Sequence, residues 1–363
     1  MRLALLRSVA IPFLGALLAT AAPSCQGQEV ESIYGPLPVF EFHSGFWVNL
    51  HHFLYHEARA RLAAKEARET AGKSSGPALK QAPGSVAGLS ASDQRTWDAA
   101  ITYYVANYAD KDLIVNIDLI LLKNQLGDFE DCNELTGKKK PQCDAGLPGK
   151  IGAILESAAP IYRARWWADQ DRANRRWVTR AAPLVREQGV GLSERLADIY
   201  QTRWPKEKIR VEVCAYANAA GAYTTLDPLR VTISSTDPRN QGPEALEVLF
   251  HEASHGIALP VEAAISRECK QRDKPIPRDL WHALIIYTTG EVLRPVFKEG
   301  TPEGGGGDTQ QQLKSNVVPY ALRDILSQRG WEQYHLLLVL YWQPYLDGKV
   351  NFEDAIAHLI SAA

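Results

Sequence analysis

The stretch EVLFHEASHGIALP, residues 247–260, holds two histidines four residues apart with an acid between them. On a helix, His251 and His255 project from one face, one turn apart, so both imidazoles can reach a single Zn2+ at about 2.0–2.1 Å. Glu252 lies beside them. From there its carboxylate can take a proton from a zinc-bound water, whose pKa the metal lowers, and later deliver a proton to a leaving amine. The surroundings suit a helix. Pro243 fits a first turn, Ala245, Leu246, Val248, Leu249 and Phe250 supply an apolar body, and Gly256 permits a sharp exit after the second histidine.

Catalytic zinc takes a third protein ligand and leaves one position open. The candidates downstream are Glu262, Glu268, His282 and Glu291. Residues 279–297, DLWHALIIYTTGEVLRPVF, are apolar on nearly all sides and predict a buried helix. A carboxylate inside such a helix must be paired or bind a metal, and Gly290 beside Glu291 removes a side chain that could block approach to another helix. Glu291 is therefore the expected third ligand, with His282 behind it. At 100° per residue their nine-residue spacing puts the two on opposite faces, so a regular helix cannot offer both to one ion. Tyr320, Tyr287, Tyr223, His282 and His335 are candidates to contact the substrate or a developing oxyanion; the alternative for each is an ordinary packed or surface ring.

The elements that would position these residues differ between the two halves of the chain. Residues 45–70 read as a helix running into a Gly/Ser/Pro connector, and helical patterns resume at about 91–108, 111–125, 149–168, 170–187 and 191–203. After Pro205, IRVEVCAYA and LRVTISST alternate like strands, joined by the irregular NAAGAYTTLDP. Helices return at about 243–256, 278–298, 317–329, 331–343 and 351–361, and the Gly-rich residues 299–312 read as a flexible segment. The expected fold is α+β and predominantly α-helical, with a helical unit over 30–205 and a second unit with a small sheet over 206–363. His43, His51, His52 and His56 form a second cluster, for which helix packing is the leading reading and cleft lining or metal binding are the alternatives.

The first 24 residues carry Arg2 and Arg7, an apolar run from Val9 to Leu18 and then small residues, the pattern of a secretory signal peptide. Cys25 is a candidate lipid attachment point. The mature chain has no other apolar run long enough to span a bilayer, so an extracytoplasmic protein, periplasmic, secreted or membrane-anchored, is expected. In that oxidising setting Cys132 and Cys143, which bracket a polar loop, are expected to pair, leaving Cys214 and Cys269 for each other or as buried thiols. A net charge of −2 gives no basic surface for nucleic acid, and a monomer acting on a peptide or protein is expected.

HEASH, the strand pair upstream of it and the helix that ends at its second histidine resemble the zincin peptidases. With Glu291 on a downstream helix the pattern is similar to the gluzincins, which include thermolysin and the zinc aminopeptidases. Ala258 and Val261 stand where the metzincin pattern needs Gly and His. The resemblance, over about residues 209–297, implies peptide hydrolysis at zinc with Glu252 as base, and VTISST as the edge strand that pairs with an extended substrate. The gap from His255 to Glu291 is longer than in those enzymes, and Gly290-Glu291 replaces their usual Asn-Glu pair.

Overall fold

The computed structural model describes residues 37–71, 87–135, 143–299, 319 and 325–363. The expected signal peptide, Cys25, Tyr320 and most of the Gly-rich segment lie outside the described residues. The fold is α+β and predominantly helical, built on a four-stranded mixed sheet with spatial order β1-β2-β4-β3. Strand β1 (Phe40–His43) pairs in parallel with β2 (Ile209–Cys214), β2 in parallel with β4 (Leu229–Ser234), and β4 antiparallel with β3 (Ala222–Leu226).

Three of these strands differ from the sequence expectation. β1 lies within the unit expected to be helical, just ahead of the helix expected from residue 45, and β3 occupies what reads as an irregular connection. β4, expected at the edge, is interior, and the sheet ends in β1 on one side and β3 on the other. The parallel β1 pairing explains the first difference: four residues, FEFH, are too short to stand out in the sequence, but docking on β2 satisfies their backbone.

Both faces of the sheet are covered, so its strands are buried almost throughout. On one side lie α1 (Phe46–Ala71), α2 (Ala91–Asn107), α3 (Ile117–Asp128) and α4 (Ile151–Tyr162), whose core takes in Cys214 and Tyr223 from the sheet. On the other, Phe40, Phe42, Val211, Val213, Ala222, Val231 and Ile233 meet α5 (Ala168–Ile199), α6 (Pro243–Ser254), α7 (Leu259–Gln271) and α8 (Leu280–Glu299). This second core also holds the short helices α9 (Ile325–Gln328), α10 (Glu332–Leu337) and α11 (Gln343–Leu346) and the terminal α12 (Phe352–Ala362). No helix among the described residues is long and apolar enough to cross a membrane.

α5 runs unbroken where two helices are expected, and it continues from α4 through a π-helical turn at Arg163–Trp167. Gly189 within it is a point of close approach: a Cβ there would sit 3.1 Å from Val39 Cγ2, so the glycine lets the chain entering β1 lie against the helix. α7 is absent from the sequence expectation, although Pro260 in its first turn is a start signal.

Cys132 and Cys143 form the expected disulfide. Cys214 and Cys269 do not pair; both are buried free thiols. The sheet separates them, since Cys214 belongs to the core on the α1–α4 side and Cys269, on α7, to the core on the other.

Candidate metal and catalytic site

Helix α6 forms as its sequence suggests. Pro243 opens it, Glu244 lies in its positively polarised first turn, and Ala245, Leu246, Leu249, Phe250 and Ala253 bury one face against the sheet and α8. That burial turns His251 and His255 towards the N-terminal end of α8, where His282 meets them. The three ring centroids form a near-equilateral triangle: 5.0 Å from His251 to His255, 5.3 Å from His251 to His282 and 4.9 Å from His255 to His282. One ring nitrogen from each lies within 4.8 Å of the others, which among the described residues makes this the group of side chains able to hold a metal ion.

The fit to a metal can be tested on the ring nitrogens. Nε2 of His251 and Nε2 of His282 are 3.4 Å apart. Two nitrogens bound tetrahedrally at about 2.0–2.1 Å from one ion stand about 3.3–3.4 Å apart, so this pair is spaced as ligands would be. Nδ1 of His251, the ring nitrogen turned away from His282, is buried with no hydrogen-bond partner. All three imidazoles are held neutral, the form that donates a lone pair. Burial pushes His251 well below its ordinary pKa, with His255, His282 and Arg329 adding to the effect. Burial and Arg329 push His255 down to about 4, and burial, His255 and Arg329 push His282 down to about 3. The residues present fit a divalent ion bound by nitrogen.

Two tryptophans wall the cluster. Trp281 stacks on His282 with centroids 5.2 Å apart and meets His255 edge-on at 5.5 Å, while Trp331 approaches His282 at 5.4 Å. These contacts limit the rotation of His255 and His282.

Glu291 is not in this group. Its carboxylate is ion-paired with Arg294, one helical turn further along α8. The expectation that an acid in this helix must be paired or bind a metal holds, and pairing is the observed outcome. The third imidazole comes instead from His282, on the opposite face of α8.

Glu252 is 8% exposed, and burial raises its pKa to about 7, against the lowering effects of the Thr224 hydrogen bond and Arg329. Thr224 Oγ1 lies 2.8 Å from Glu252 Oε2 and 2.7 Å from the Glu252 backbone carbonyl. A threonine hydroxyl has one proton to give. When Glu252 is ionised, Thr224 can donate to the carboxylate; when it is protonated, the carboxyl can donate to Thr224, whose own proton turns to the carbonyl. Both protonation states are therefore accommodated without rearrangement, which suits a group that takes up and releases a proton near neutral pH.

Thr224 lies on β3, so that strand and Glu252 are tied directly. Ala222, two residues earlier on the same face, lines a cavity of about 230 Å³ together with Glu247, Val248, His251, Glu252, Ile286, Arg239 and Arg329. Nothing from α1–α4 lines it, because those helices lie across the sheet. Gly256 acts here by close approach: a Cβ on it would meet Leu229 Cδ2 at 2.5 Å, so the turn after α6 is held against the start of β4.

The remaining candidates lie elsewhere. Tyr223 faces the α1 side and its hydroxyl bonds His52 Nε2 at 2.9 Å, so it is a core hydroxyl and not an oxyanion donor. Tyr287 donates to Gln343 Oε1 at 2.6 Å and packs near His335. In the second histidine cluster His51 bonds Tyr104, His52 also bonds the Val48 carbonyl, His43 pairs with Glu130, and His56 stacks on Tyr216, the packing that leads among the sequence readings. Sequence reasoning misses Thr224 and Arg329; two-residue alternation from Ala222 is the signal that could have found the first, and nothing local marks the second.

Comparisons with protein-family models, with curated proteins and with solved structures found no match to this chain.

Proposed function

We propose that this chain is a zinc-dependent hydrolase of peptide bonds, acting outside the cytoplasm. The observation that carries the reading is the convergence of three neutral imidazoles, from His251, His255 and His282, beside a buried carboxyl whose partner, Thr224, sits on the strand that ends the sheet. Three histidines with an open fourth position are a donor set for catalytic zinc, and a bound ion would supply Lewis-acid polarisation of the substrate carbonyl.

The chain's own residues account for the rest. Among the described residues β3 pairs only with β4, so its other side offers backbone groups to which an extended peptide can add as a further strand, placing its carbonyls over the cavity at Ala222 and Glu252. Glu252 accepts a proton from the attacking water and returns it to the leaving amine. Trp281 and Trp331 hold the rings of His255 and His282 in place. The extracytoplasmic location rests on the signal-like first 24 residues.

The test is hydrolysis of a mixed peptide library by the zinc-loaded full chain and by Glu252→Gln. Cleavage by the first and at least a 100-fold loss in the second, with zinc retained by both, supports the reading. Zinc retained by both with no cleavage by either would leave a metal-binding protein without this activity.

A further inference from the structure

The cavity beside Glu252 contains two acids, Glu247 and Glu252, and two arginines. Arg239 is committed: its guanidinium bonds Asp237 at 2.6 and 2.9 Å and the Ala219 carbonyl at 2.8 Å. Arg329 is not. It is exposed, makes no hydrogen bond or ion pair with any described residue, and rests on the ring of Trp331 at 5.1 Å. Trp331 in turn packs on His282. The arginine is thus held at the wall of the imidazole cluster by its contact with Trp331, while no described residue takes up its five N–H donors.

We propose that Arg329 is the specificity-determining residue of the site and binds a carboxylate of the substrate. The inference rests on the hydrolase reading above. A guanidinium with no hydrogen bond or ion pair to a described residue matches one carboxylate in charge and in its two-pronged geometry. A dianionic phosphate would face the acids Glu247 and Glu252 with a single cation to offset it, which disfavours that ligand. The carboxylate has two sources, the C-terminus of a peptide or an acidic side chain beside the scissile bond.

The experiment uses three matched N-acetylated peptides: one with a free C-terminus, its C-terminal amide, and an amide with Asp next to the scissile bond. Hydrolysis by the zinc-loaded full chain is compared for wild type, Arg329→Gln and Arg329→Lys, and binding of an N-acetyl dipeptide acid and its amide is measured by calorimetry. Wild type is expected to favour a carboxylate-bearing peptide over the plain amide by roughly 10- to 100-fold in both readouts. The ratio should fall to within about twofold in Arg329→Gln and be intermediate in Arg329→Lys, which keeps the charge and loses the fork. Preference for the free acid identifies the C-terminus as the source, and preference for the Asp peptide identifies the side chain. Equal treatment of all three by wild type, or an undiminished ratio in Arg329→Gln, overturns the inference. Hydrolysis without discrimination would sink the inference alone; discrimination in binding that Arg329→Gln removes, with no hydrolysis, would uphold it and sink the hydrolase reading.

Discussion

Nε2 of His251 and Nε2 of His282 lie 3.4 Å apart although 31 residues separate them in the chain. The contact joins α6 to α8, so an ion held there would cross-link two helices of the same core. Binding to the folded state alone adds stability as RT ln(1 + [L]/Kd), about 2.7 kcal/mol at a hundredfold excess over Kd. Thermal unfolding of the apo chain should therefore shift upward on zinc addition, and the shift should vanish in His282→Ala. An equal shift in that variant would place the ion elsewhere.

Thr224 is expected to matter through Glu252. Thr224→Val keeps the shape and removes the hydroxyl, leaving a buried carboxyl without that bond at a cost of about 1–3 kcal/mol. Since that hydrogen bond lowers the Glu252 pKa, its loss should move the acid limb of the activity profile to higher pH. An unshifted limb in Thr224→Val would detach Thr224 from the proton transfer.

Stability should fall in acid, and His52 is one identifiable cause. Burial holds His52 at about 4 in the folded chain, against about 6.5 when unfolded. Between these values the unfolded state binds the extra proton, so the contribution is complete above pH 6.5 and is lost as pH falls towards 4, on the order of 3 kcal/mol in all. Urea unfolding of His52→Gln should show a shallower loss over this window. A slope equal to wild type would mean that His52 titrates normally in the folded chain.

Lys123 produces a second window with the same sign. It is wholly buried on the α3 side of the sheet, donates to Thr225 Oγ1 at 2.8 Å, and burial lowers its pKa to about 7. The unfolded lysine keeps its proton to about 10.4, so stability should rise with pH from about 7 to 10 by up to about 1.4 kcal/mol per unit. Lys123→Met should remove that rise, and its persistence would assign it to another group.

The disulfide and the thiols separate cleanly. Cys132 and Cys143 are 11 residues apart, and opening a loop of that size costs about 3 kcal/mol in the chain-entropy account. The Cys132→Ser/Cys143→Ser variant should lose about that much. Cys214 and Cys269 should react with a thiol reagent only after unfolding, and rapid labelling of either in the native chain would contradict their burial.

How much of this was legible in the sequence varies by residue. The helical period around Leu246, Leu249, Phe250 and Ala253 marks α6 and its buried face, and the largely apolar character of residues 279–297 marks α8. The His251/His255 pair follows from that period. The choice between His282 and Glu291 does not, because it depends on which face of α8 turns to α6, a tertiary fact. A local sign existed: Arg294, one turn after Glu291, supplies the charge that a buried acid needs. β1 and β3 were hidden because a strand of four or five residues is specified by its neighbour, and Tyr223, Thr224 and Thr225 acquire separate roles only once the sheet has two covered faces. Arg329 lies far from the motif in sequence and reaches the cavity through Trp331.

The central claim is that His251, His255 and His282 hold the ion. The most direct measurement is the zinc content of the purified full chain beside His282→Ala and Glu291→Ala, after dialysis against a weak chelator. The account predicts one zinc per chain in wild type and in Glu291→Ala, and none in His282→Ala. Zinc kept by His282→Ala but lost by Glu291→Ala, or no zinc in any of the three, would contradict it.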